Sequence, residues 1–129
     1  MEFNKPLPSN PEAEKVILGA ILLDSALIFS VAKQLKPSDF YNAMHLRVYK
    51  AMIALLNRKE KIDTILLATE LRKNGQLENI GGMVTLTNLT YGLPHFSNVD
   101  NYIKLVKDDA IIRETVKICQ QTINECFAQ

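Results

Sequence analysis

Residues 97–129 read SNVDNYIKLVKDDAIIRETVKICQQTINECFAQ. Ser97-Asn98-Val99-Asp100 resembles a capping box, with Asp where Glu or Gln is usual, and no Pro or Gly follows as far as Phe127. One helix of about 30 residues would be roughly 45 Å long, more than a small helical bundle can cover. The apolar pattern changes midway. Tyr102, Ile103, Leu105 and Val106 make a broad face suited to packing on a globule. After Asp108-Asp109, the residues Ile112, Val116, Cys119, Ile123 and Cys126 follow at alternating intervals of four and three, the spacing of a coiled-coil seam. Such a seam needs a partner helix, and none follows within the 129 residues. The expectation is a chain taken from a longer one, or a helix that packs on another subunit.

Upstream, the pattern is helical throughout. Pro11-Glu12-Ala13-Glu14 opens a helix, with proline in the first turn and acids at the positive end of the dipole. Val16 to Leu23 is apolar on every side, which predicts a buried helix, and Gly19 in its middle predicts a close approach by another helix. Asp24-Ser25 caps a second helix carrying Leu27, Ile28, Val31, Ala32 and Leu35. Pro37 to Tyr41 reads as a turn with Phe40 and Tyr41 tucked inward. A third helix, about 42–58, aligns His45, Val48, Tyr49, Met52, Leu55 and Leu56 on one stripe. A fourth opens at Asp63-Thr64, buries Leu67, Ala68 and Leu71, and ends at Asn74-Gly75. A short Thr-rich helix over 82–89 follows. The fold class is all-α: a globule of about five to six helices over 12–106, a flexible N-terminal arm over 1–11, and a long final helix whose 107–129 part projects.

Composition bounds the function. Fifteen Lys+Arg against fourteen Asp+Glu give a net charge of +1, unlike domains built mainly to neutralise phosphates. No run of about 18 apolar residues occurs, so no membrane span is expected. Two cysteines make no disulfide framework. Cys119 and Cys126, roughly 10 Å apart on one helix face, are beyond disulfide reach. The expected setting is a reducing compartment.

The chain has no G-x-x-x-x-G-K-[ST], G-x-G-x-x-G, H-E-x-x-H or C-x-x-C motif, so no catalytic, cofactor-binding or metal-ligating residue is assigned. Gly81-Gly82 reads as backbone freedom before a helix. His45 is expected to be a core-edge histidine bonded to a backbone carbonyl, with Asp39 and Asp63 serving a turn and a cap; an enzyme centred on His45 and an Asp is the contrary reading. The most basic stretch, Lys36 to Lys61, is expected to be a solvated face, with Arg58, Lys59 and Lys61 as weak candidate DNA contacts.

Eight collinear pieces over about residues 8–115 resemble one family. They are Glu12-Ala13-Glu14 with Leu18-Gly19 and Leu22-Leu23-Asp24; Asp39-Phe40-Tyr41; His45; Val48-Tyr49-Lys50-Ala51-Met52; Ile62-Asp63; Gly75 to Gly82; Leu86; and Asn98-Val99 with Tyr102 to Val106. Together they are similar to the N-terminal domain of the bacterial replicative DNA helicase of DnaB type. Thr85 and Thr87 depart from the larger apolar or aromatic side chains expected in the short helix. The resemblance implies a helical globule followed by a helical hairpin, with about 111–127 as its first arm. It implies domains that pair through their hairpins into the collar of a hexameric ring around single-stranded DNA, where primase docks, and it allows a helicase loader as a further partner. It places the second arm, the linker and an ATP- and Mg-dependent motor in a separate domain, and the protein in the bacterial cytoplasm at the nucleoid. The fragment itself is then no enzyme. Candidate interface residues are Ile111, Ile112, Val116, Cys119 and Ile123. The alternatives are a stand-alone primosome accessory protein or a weak single-stranded-DNA-binding domain.

Overall fold

The Asn10 side chain accepts a hydrogen bond from the Ala13 amide at 3.0 Å. This cap, with proline at the first helical position, starts α1 at Pro11, where the helix signals begin; α1 runs to Leu23. The computed structural model describes residues 5–93 and 99–129. Along them follow α2 (Leu27–Gln34), α3 (Ala43–Asn57), α4 (Thr64–Lys73), α5 (Gly82–Asn88) and α6 (Asp100–Phe127), with 3-10 turns at Pro37–Asp39 and Glu78–Ile80. No strand occurs among the described residues. The Ser97-Asn98 part of the expected cap on α6 lies outside them, as does His95.

Local chemistry fixes most boundaries. The Asn42 side chain accepts from the Met44 and His45 amides and starts α3; Asp63 accepts from the Leu66 amide and starts α4. At the end of α4, Gly75 takes φ +67° and the Gln76 amide donates back to the Leu71 carbonyl at 2.8 Å.

α1 lies at the centre. Ile17, Leu18 and Ile21 are fully enclosed, with α2, α3 and α6 packed around the helix. Its last residue, Leu23, is exposed. The approach expected at Gly19 is made by Leu89, where α5 ends. α3 contributes Val48, Tyr49, Met52 and Leu55 and packs on α4 through Leu67, Ala68 and Leu71. Tyr49 donates its hydroxyl to the Leu35 carbonyl at 2.7 Å; burial, then the charge of Asp39, pushes its pKa up.

Two expectations about burial are corrected. Phe40 is buried and stacks on Tyr49 at 4.6 Å between ring centroids, but Tyr41 is half exposed. Extended backbone at Phe40 sends successive side chains to opposite sides. On α6, Ile103 and Val106 are buried, but Leu105 is 47% exposed, because a step of two residues on a helix turns it well away from the globule.

Candidate interaction surface

α6 is 28 residues of unbroken helix, about 42 Å. Its last buried residue is Ala110; beyond it only Arg113 and Val116 are even half-buried. The distal part therefore stands off the globule as an arm. It is not polar. Ile111, Ile112, Ile118 and Ile123 are each between 41% and 54% exposed, and Phe127 is 85% exposed. At about 100° per residue, Ile112, Val116, Cys119 and Ile123 point roughly 140° away from the buried row of Ile103, Val106 and Ala110. The seam thus faces away from its own globule. Leu105 lies seven residues before Ile112 and extends the seam upstream. Ile111 and Ile118, also seven apart, form a second exposed row about 120° from the seam. Ile118 and Leu105 were missed from sequence, although their seven-residue spacing was legible.

The base of the arm is fastened by ionic and hydrogen-bonded contacts. Lys107 Nζ donates to Asp39 Oδ2 at 3.1 Å, and the same carboxylate accepts from the Lys36 amide. The Arg113 guanidinium donates to the carbonyl of Pro8 at 2.9 Å and to that of Asp39 at 2.8 Å, and lies 5.0 Å above the Tyr41 ring. Leu7, Lys36, Tyr41 and Ile111 border the groove beside this junction.

The other residues singled out from sequence are placed apart from the arm. His45 is buried, and its partner is a carboxylate rather than a backbone carbonyl: Nδ1 lies 2.9 Å from Glu14 Oε1. Glu14, read as an acid at a helix start, is 1% exposed and also accepts from the Tyr41 and Asn42 amides at 2.8 and 3.3 Å. The knot ties α1 to the start of α3, and among the described residues no buried side-chain polar atom is left without a partner. Asp39 and Asp63 serve the turn and the cap. Arg58 grips Glu70 through both terminal nitrogens and also contacts Glu60. The hydrogen bonds to Glu70 push the arginine pKa up, and they hold the Glu70 carboxyl below its ordinary range. Lys59, at φ +60°, and Lys61 follow in the connector. Cys119 and Cys126 are exposed and free. Among the described residues no cluster suits a metal ion, and no helix is long and apolar enough to cross a membrane.

Comparison with known proteins points the same way. The family model of the DnaB-like helicase N terminal domain matches residues 6–108. The replicative DNA helicase DnaB of Geobacillus stearothermophilus is 34% identical over 110 residues, which is 85% of this chain and 24% of that protein. The one from Treponema pallidum is 34% identical over 120 residues, 93% of this chain and 27% of that protein. The chain thus spans about a quarter of the length of these relatives. The crystal structure of the N-terminal domain of DnaB helicase from Mycobacterium tuberculosis superposes with a TM-score of 0.89 at 32% identity, covering 95% of this chain and 88% of that one. A DnaB-like replicative helicase whose structure was described with its interactions with primase gives 0.81 at 26% identity, over 93% of this chain and 28% of that one. An all-helical globule with a projecting final helix, matched over most of its length by that family model, belongs to the DnaB-like helicase N-terminal domain family.

Proposed function

We propose that this chain is the collar domain of a hexameric replicative DNA helicase, a protein–protein module that joins subunits through the arm of α6 and offers a surface on which primase docks. The observation that carries the reading is the arm itself: two rows of exposed isoleucines on a helix that leaves its own globule behind. Two rows suit a helix with two neighbours, as in a hairpin that pairs with another hairpin. Family membership and a relative described with primase support the choice of partners. In this reading ATP and magnesium are handled by a separate motor domain, and a helicase loader is a further partner of the collar. Arg58 does not enter as a DNA contact, since Glu60 and Glu70 already occupy its guanidinium.

Burying one such side chain contributes about 1.5–3 kcal/mol, so a carboxylate there opposes association strongly. Ile112→Asp, Val116→Asp and Ile123→Asp are each expected to lower the oligomer mass measured by light scattering on the protein as the cell makes it, with circular dichroism of the globule unchanged. If all three leave the mass as it was, the seam is not an interface. Primase titrated onto the chain in a fluorescence assay tests the second partner; absence of binding removes that part of the reading.

A further inference from the structure

Arg113 sits where burial on α6 ends, and its contacts reach two segments far away in sequence. One terminal nitrogen donates to Pro8, 105 residues upstream, and the other to Asp39, 74 residues upstream. The guanidinium carbon also lies over the Tyr41 ring, 5.0 Å from its centroid. Only arginine offers two donors in a rigid fork together with a flat face for stacking. The turn Pro37–Asp39 is closed by the Lys36 and Pro37 carbonyls, and the Asp39 carbonyl accepts from Arg113. Pro6 and Pro8 restrict φ along the N-terminal segment, and the Arg113 hydrogen bond falls on Pro8 within it.

Without this fixing, the arm's direction rests on the packing of Tyr102, Ile103, Val106 and Ala110 on the globule and on the Lys107–Asp39 pair. The roughly 14 residues from Arg113 to Phe127 make a lever of about 21 Å. A tilt of about 10° at the base moves the tip nearly 4 Å, against a spacing of roughly 5 Å between successive knobs of a seam.

We infer that Arg113 is a positioning residue that sets the angle at which the arm leaves the globule, and that it locks the N-terminal segment and the arm to one another so that they loosen together. The inference rests on these contacts and not on the reading of the arm as a subunit interface.

Spin-label distances test it in the full 129-residue chain, diluted with unlabelled protein to suppress contacts between copies. One label pair joins Cys119 to Ser30→Cys in a Cys126→Ser background and reports the arm. The other joins Leu7→Cys to Ser30→Cys with both native cysteines changed to Ser, and reports the N-terminal segment. Arg113→Ala is expected to broaden both distance distributions at least twofold, with helicity unchanged. Arg113→Lys, which can reach one carbonyl but not both, is expected to fall between. Tyr41→Phe, which keeps the ring face, is expected to match the unmodified chain. Unchanged widths for Arg113→Ala at both pairs overturn the inference; broadening of the arm pair alone overturns the coupling. If Arg113→Ala does not fold, Arg113→Lys decides by the same criterion. Light scattering on the same variants separates this result from the oligomer reading, because a chain that never associates still reports both distances.

Discussion

Gly19→Ala is the substitution for which two effects of known size oppose each other. Glycine inside a helix is about 1 kcal/mol less favourable than alanine, so on propensity alone the change stabilises α1. The structure reverses the sign. A Cβ on Gly19 would lie 3.0 Å from Leu93 Cδ1 and 3.1 Å from the Leu89 carbonyl carbon, and it would overlap the Leu89 carbonyl oxygen outright. The Leu93 methyl can rotate aside. The Leu89 oxygen is backbone at the end of α5, so it recedes only if that helix end moves. The displacement needed is on the order of 1 Å, and overpacking of this kind costs about 1–3 kcal/mol, occasionally more. The net expectation is a loss of up to about 2 kcal/mol, or up to about 8 °C in Tm for a domain of this size. Urea unfolding followed by circular dichroism reads it as a lower midpoint with unchanged slope. A useful contrast is Gly75→Ala, where nothing lies within 4 Å of the new methyl but φ is +67°, so any loss is conformational. A higher urea midpoint for Gly19→Ala than for the parent chain would refute the close packing of α1 against the end of α5.

The remaining predictions concern buried polar groups. Glu14→Ala removes the acceptor of two backbone amides and of His45, and should destabilise the fold by about 3 kcal/mol, while His45→Gln should lower stability by less because the two amides keep their carboxylate. Equal losses in urea midpoint for the two variants would contradict that ranking. For Glu70, the hydrogen bonds from Arg58 lower the carboxyl's pKa below its ordinary value of 4.5. The folded state therefore binds that proton less readily than the unfolded chain. The resulting stability is complete above the ordinary value and is lost as pH falls through the lower, folded one. Glu70→Gln should flatten the fall of urea midpoint as the pH drops below 4.5, and an unaltered slope would show that the pair does not couple to folding.

Apolar periodicity is local, so the sequence carried the helices, the cap at Asp63, and the change of pattern along residues 100–127. It also carried the seam, because Ile112, Val116, Cys119 and Ile123 share a face of any helix that contains them. What it left open depends on which distant segments meet. Glu14 looked like any acid in a first turn until residues 41, 42 and 45 closed over it. Arg58 looked available for DNA until α4 brought Glu70 beneath it. Leu105 belonged to an apolar cluster in the sequence, and only the orientation of α6 on the globule sent it to the exposed side. Arg113 shows the division most sharply. Its place in the helix was evident from the residues around it, but its two hydrogen-bond acceptors are backbone carbonyls, and a carbonyl leaves no mark in a sequence. The sequence thus determined the helices and the apolar rows of the arm. The tertiary structure alone decided how that arm is held, because its fastenings are contacts between chain segments separated by 68 to 105 residues.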